Sequence, residues 1–404
     1  MSTSFAPSLA AQTLDAPVTE PAASPALAAR SGRFHHPELD GLRFFAFLAV
    51  FLDHSILSGS GLDPFLQRNS LMAWPLTLLR CSHAGVELFF VLSSYLITEL
   101  LLRERQARGT IAVGPFYARR CLRIWPLYYS FLAVTFVLRR WLMPAGTFDS
   151  AYLPWFLLFV GNWPMSLGGL SPCWEVSPLW SISVEEQFYL VCPLLLKRLR
   201  PRWLMAAAVG CLILPNLVRY GMVANGGNNA LVYNNTFCRL DAFALGALIA
   251  LALKGAAPTF SRTVRWLIGA GGLLLIVAAV RNFETTQIPR WADLALYPLV
   301  SLGAALLLLA TLQPQGAATG LCARPLLVRL GRISYGLYVF HMVAFLVIGI
   351  VPGLPQGIVG SLLKTTASFG ITVALASLSY RFLEHPFLKL KERFTYISSR
   401  PLKG

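Results

Sequence analysis

Charge is scarce in this chain and unbalanced: 13% of its 404 residues are charged, 34 Lys and Arg against 18 Asp and Glu, and the formal net is +16. With 56% hydrophobic residues and a mean hydropathy of +0.60, that scarcity excludes an ordinary soluble domain and points to a polytopic membrane protein. Cysteines are few as well. The seven are odd in number, far apart and free of any C-x-x-C pair, which excludes a disulfide framework and a thiolate metal cluster. No two His or Cys stand at ligand spacing within one helix, so no metal is expected. No internal repeat is visible, which removes the signature of a transporter built from repeated halves. Residues 1–32 have no apolar core of signal-peptide length, and their Ala, Pro, Ser and Thr content reads as a disordered cytoplasmic tail.

What the chain does have is apolar stretches of near-spanning length. They fall at about 42–60, 84–102, 123–142, 183–199, 203–220, 236–253, 266–280, 292–312, 333–351 and 360–382. The expected fold is therefore an all-α polytopic membrane protein with about ten transmembrane helices, its membrane domain running over 33–388 and a basic cytoplasmic tail over 389–404. With the N-terminus inside, 25 of the 34 Lys and Arg fall on cytoplasmic segments, and both termini are cytoplasmic. This accounts for the basic excess without nucleic acid as a partner. The stretch "YLPWFLLFVGNW" at 152–163 is too short for a further span, and counting it as one reverses every later loop against the charge. Residues 151–182 are read instead as an external re-entrant element, whose Pro and Gly demand non-helical backbone buried in protein or beside a wet cavity.

Ionisable groups inside a membrane are functional candidates by default. In the first span, Arg43 and His54 are three turns apart on one stripe, with His54 about 16 Å deeper. His54 is read as a general base, against an imidazole that merely bonds two helices. At the mouth of the third span, Arg120 and Arg123 share a helical side with Arg119 close by; they suit phosphates, although positive-inside anchoring also places arginines there. In "SISVEEQFY", Ser181, Glu185 and Tyr189 recur at i, i+4 and i+8, while Glu186 points about 100° away. Glu185 is thus the acid of that face, charging an imidazole or binding an acceptor hydroxyl. The structural alternative is a buried pair between Glu185 and Arg239.

Six successive segments, "ELDGLRFFAFLAVFLDH", "GVELFFVLSSYLIT", "RRCLRIWP", "PLWSISVEEQFYLVCP", "RLDAFALGALIA" and "ISYGLYVFH", resemble the motifs of the membrane-bound acyltransferase 3 family, in family order from about 38 to 386. The resemblance implies ten spans and transfer of acyl groups, often acetyl from cytoplasmic acetyl-CoA, to hydroxyls of surface polysaccharides, lipopolysaccharides or, in some members, macrolides. It assigns the first-span histidine to His54, the R-x-x-R pair to Arg120 and Arg123, and the acids of two further motifs to Glu87 and Glu185. Where the family usually has Ser-Gly in the second span, this chain has Ser93-Ser94. Many relatives append a soluble esterase-like domain, and none is expected here.

The resulting expectation is an inner-membrane O-acyltransferase. Acyl-CoA is the donor substrate, its phosphates held by Arg43, Arg120 and Arg123, with Arg119 alongside. The acceptor is a glycan or lipid-linked sugar, met by Ser181, Tyr189 and Arg239, and membrane lipid surrounds the whole. His54, helped by Glu185 or Glu87 as the holder of its tautomer, either deprotonates the hydroxyl or carries the acyl group; His83 and His341 are second-tier candidates with no clear role. A cytoplasmic acceptor such as a macrolide or lipid precursor is the enzymatic alternative, and a transporter the non-enzymatic one.

Overall fold

Proline and glycine punctuate the helices where the sequence leads one to expect. Pro37 and Pro201 occupy first turns, where a missing N–H costs nothing, and Gly109, at φ 73°, closes a helix in the left-handed conformation. The computed structural model describes residues 35–57, 81–142, 150–168, 173–283, 291–314, 320–355 and 357–397. The expected disordered tail over 1–32 and the side chain of His83 lie outside the described residues.

The main helices, in chain order, are α1 (Pro37–Leu52), α2 (Gly85–Arg108), α3 (Val113–Leu142), α4 (Leu179–Arg198), α5 (Pro201–Ala224), α6 (Leu240–Leu253), α7 (Arg262–Phe283), α8 (Asp293–Thr311), α9 (Ser334–Gly349) and α10 (Gly357–Ser379). No strand occurs among the described residues, and each of the ten expected stretches falls on a helix, so the chain is all-α and polytopic. Seven of the described helices are long and apolar enough to cross a membrane. An eighth arises if Pro325–Arg332 and α9, bent by 73°, form one broken span. The remaining two, α1 and α4, fall short for physical reasons: α1 has 16 residues before it passes into a π-helical turn, Asp53–Leu57, and α4 carries Glu185, Glu186, Lys197 and Arg198. The first is covered by partners along its length, whereas α4 is buried over its first half and exposes Leu190, Val191 and Leu195 beyond it.

The segment expected to be re-entrant and non-helical instead holds two short α-helices, Leu153–Leu157 and Asn162–Gly168, and a 3-10 turn, Trp174–Val176, because Pro154 and Pro164 fall in first turns, where a missing N–H costs nothing. Its backbone is satisfied from the helices beside it, as irregular chain among apolar helices must be. Gln187 of α4 donates to the Phe159 carbonyl and to Asn162 Oδ1, both at 2.9 Å, while Tyr128 of α3 donates to the Phe156 carbonyl. Phe159 itself adopts φ 55° and is held there by Tyr128, ring centroids 4.4 Å apart.

One glycine sets the geometry of the core. A Cβ on Gly246 of α6 would lie 2.2 Å from the Val91 carbonyl oxygen and 2.8 Å from Ser94 Oγ of α2. Only hydrogen fits, so the two backbones meet closely, and Ser94 donates to the Phe243 carbonyl across the crossing. The serine that replaces the family's usual glycine thus ties helices together, whereas its neighbour Ser93 faces a cavity.

The last described residues pack onto the protein. The short helix His385–Lys391 and the turn Glu392–Phe394 lie against α3, and Tyr396 stacks under Arg108, 3.6 Å from its guanidinium carbon. The α1 start, α2 end, α3 start and α4 end come together at this basic end, where Arg105 donates to the carbonyls of Leu196 and Leu199.

Candidate functional site

Two adjoining chambers open along the inner faces of α1 to α4. The outer one, about 90 Å³, lies at the basic end and includes His36, Asp40 and Lys391 in its wall; the inner one, about 80 Å³, is walled by α2, α4 and α9. Each holds several waters at most. Arg43, Ser93, Arg120, Arg123 and Tyr189 border both, so the guanidiniums stand where the chambers meet.

These arginines are short of anions. Among the described residues, neither Arg43, Arg120 nor Arg123 forms an ion pair within 4.0 Å, and the buried Nε of Arg120 has no hydrogen-bond partner. The Arg120 guanidinium instead rests over the rings of Phe116 and Tyr189, at 5.6 and 5.5 Å. Three cations gathered with so little compensation make a cradle for a polyanion. Arg119, adjacent in sequence, is turned away: it binds Glu104 at 3.0 Å and the Phe394 carbonyl at 2.6 Å, tying α2, α3 and the C-terminal turn together.

The α4 face expected from helical spacing is present. Ser181, Glu185 and Tyr189 all line the inner chamber, and the Tyr189 hydroxyl donates to Glu185 Oε1 at 2.6 Å. Glu186 does not line it, as the 100° offset requires. Arg239 pairs not with Glu185 but with Glu87 of α2. Buried with it, the Arg239 guanidinium also donates from Nε and Nη2 to the Tyr233 carbonyl and lies 4.5 and 4.3 Å from the Tyr233 and Tyr297 rings. Neither Glu87 nor Arg239 borders a chamber.

His54 lies in the π-helical turn that follows α1, half-buried and outside both chamber walls. Such turns recur at functional sites because they re-aim a side chain without ending the helix. A carbonyl oxygen can only accept, so the 2.9 Å contact between Nδ1 and the Val50 carbonyl puts the hydrogen on Nδ1 and leaves Nε2 basic. The tautomer is therefore set by the backbone of α1, where sequence reasoning looked to Glu185 or Glu87. The ring meets His341 of α9, centroids 5.1 Å apart, and His341 meets Tyr338 at 5.6 Å.

Tyr338 and Tyr335 are the site residues that sequence reasoning passed over. Both line the inner chamber; Tyr338 Oη lies 2.7 Å from Ser181 Oγ, and Tyr335 donates to the Ile124 carbonyl at 2.9 Å. Their signal was available: Tyr335, Tyr338 and His341 recur at i, i+3 and i+6, a polar-tipped stripe on an otherwise apolar helix.

Comparison with known proteins agrees with this architecture. The model of a family described as acyltransferase domain matches residues 36–381, and the chain belongs to that family. It is similar to a Staphylococcus aureus (strain COL) protein named "Putative O-acetyltransferase SACOL0978", 27% identical over 373 residues, and to "O-acetyltransferase OatA" of the same strain, 26% identical over 375. Each alignment covers 87% of this chain but 57% of the relative, so the chain spans little more than half the length of the curated proteins it matches. No solved structure matches.

Proposed function

We propose that this protein is an integral-membrane O-acyltransferase that moves an acetyl-sized group from acyl-CoA, taken up at the basic end, to a sugar hydroxyl of a surface or exported glycan. The observation that carries the reading is the trio Arg43, Arg120 and Arg123: three guanidiniums without ion-paired carboxylates at the junction of two buried chambers. Phosphate groups of the donor complete their charge, and the R-x-x-R spacing sets two of them on one side of α3. The positive-inside count supports a cytoplasmic placement of that end.

Past the arginines, Ser93, Ser181, Glu185 and Tyr338 give the narrow inner chamber polar edges suited to a thioester arm and a hydroxyl. His54 waits beyond the Tyr338–His341 layer with Nε2 unprotonated, either to take the proton of the acceptor hydroxyl or to receive the acyl group. The donor arm reaches it by widening the inner chamber along that layer, and the acceptor reaches it from the opposite end of α1. Lipid-linked acceptors arrive through the membrane itself. Mass spectrometry of surface glycans from a deletion strain, complemented with the parent or with His54→Ala, tests the proposal. Acylated sugars are expected with the parent and not with the variant, at equal protein levels. Normal acylation by His54→Ala would sink it.

A further inference from the structure

His341 has no task in the mechanism so far, yet its ring is fully buried on the same stripe of α9 as Tyr338. Its Nδ1 lies 2.5 Å from the Tyr338 carbonyl, so the hydrogen sits on Nδ1 and Nε2 carries the lone pair. That Nε2 is buried and has no hydrogen-bond partner among the described residues. An acceptor buried without a partner is unfavourable. Packing gives no reason to retain it, because the contacts with Phe47 and Phe345, centroids 6.3 and 5.9 Å away, are ones a phenylalanine makes as well.

The reason lies on the neighbouring ring. His54 repeats the arrangement: Nδ1 committed to a carbonyl of its own helix, Nε2 basic. Two imidazoles, each with its hydrogen pinned on Nδ1, stand with ring centroids 5.1 Å apart and planes inclined by 61°. On its other side His341 touches Tyr338, whose ring borders the inner chamber. The buried histidine therefore stands between His54 and the chamber in which the coenzyme sulfur is released.

Resting on the acyl-transfer reading above, we propose that His341 relays the proton that His54 takes up. The acceptor O–H bond breaks and its proton goes to His54 Nε2. The oxygen bonds to the acyl carbon as the C–S bond breaks, and the electron pair leaves on sulfur. The proton passes from His54 Nε2 to His341 Nε2 and leaves by that same nitrogen, because Nδ1 keeps its hydrogen on the Tyr338 carbonyl, to the coenzyme thiolate drawn into the widened layer, which departs as the thiol; both rings regain their starting tautomer. His341 carries the proton between His54 and the coenzyme thiolate and does not touch the acyl carbon.

Asparagine and glutamine separate this role from a structural one. An Asn side chain places its amide near the position of Nδ1, keeping the bond to the Tyr338 carbonyl, and has no atom at Nε2; Gln reaches the Nε2 position. The assay is the initial rate of label transfer from radiolabelled acetyl-CoA to endogenous glycan in vesicles from producing cells, with thermal unfolding of the detergent-extracted protein alongside. His341→Asn is expected to lower kcat by about 100-fold or more, with KM for acetyl-CoA and the unfolding midpoint unchanged, and His341→Gln, whose amide reaches the Nε2 position but is not a base, to lower it as far. A kcat for His341→Asn within about threefold of the parent, far less than a positioned proton carrier contributes, overturns the relay. If His341→Asn does not accumulate, His341→Ala with added imidazole decides: returning turnover supports the relay, and its absence overturns it. His54→Ala is run in parallel. Loss of activity there with a normal His341→Asn removes the relay alone, whereas full activity of His54→Ala removes the acyl-transfer reading itself.

Discussion

Replacing Glu87 by alanine separates a catalytic acid from a structural one, and the two roles predict different readouts. In the folded protein Glu87 is the carboxylate partner of Arg239, and both side chains are almost fully withdrawn from solvent, at 6% and 1% exposure. Truncating one member of such a pair leaves a buried charge uncompensated, a loss of about 3–5 kcal/mol. Arg239 keeps two hydrogen bonds to the Tyr233 carbonyl and the faces of Tyr233 and Tyr297, which places the expected loss near the lower bound, about 3 kcal/mol. Glu87→Gln retains an acceptor and is expected to lose about half as much, in the range for a hydrogen bond to a charged group. The double variant Glu87→Ala with Arg239→Met removes both charges and is expected to recover about 1–3 kcal/mol relative to additivity. The assay is unfolding of the extracted protein, with transfer rates measured on whatever fraction remains folded. Unchanged stability of Glu87→Ala combined with abolished turnover would refute the structural assignment and return Glu87 to the reaction.

Two further outcomes follow from side chains that sequence alone groups together or overlooks. Arg120→Ala is expected to raise the KM for acetyl-CoA at least tenfold, the loss of about one charge-assisted bond. Arg119→Ala, which frees the Phe394 turn, should leave that KM unchanged but expose the C-terminal residues to limited proteolysis; equal KM effects from the two would mean that both simply mark topology. Gly246→Val forces side-chain atoms against the Val91 carbonyl and should destabilise the protein by about 1–3 kcal/mol through overpacking, read as a lowered unfolding midpoint, whereas parental stability would mean that α2 and α6 are not closely apposed.

Much of the site is legible in the amino-acid order because helical spacing is rigid. Ser181, Glu185 and Tyr189 had to share a face, Glu186 had to leave it, and Arg120 and Arg123 had to point together. The ten apolar stretches are equally plain, since a bilayer demands long runs. Illegible are the choices each face makes. Arg239 takes Glu87 rather than Glu185, Arg119 takes Glu104, and the holder of the His54 tautomer is a backbone carbonyl one turn back. A π-helical turn carries no clear sequence mark, so the aim of His54 is set by neighbours that the sequence does not name.

By itself the sequence determined the all-α class, the run of helices and which side chains lie on one face, because hydrogen bonding within a helix fixes its periodicity whatever surrounds it. Only the tertiary structure decided which faces meet. Helix rotation and crossing distance depend on packing at a few points, such as hydrogen in place of a side chain at Gly246. From those contacts alone came the unpaired guanidiniums around two chambers and the pairing of His54 with His341.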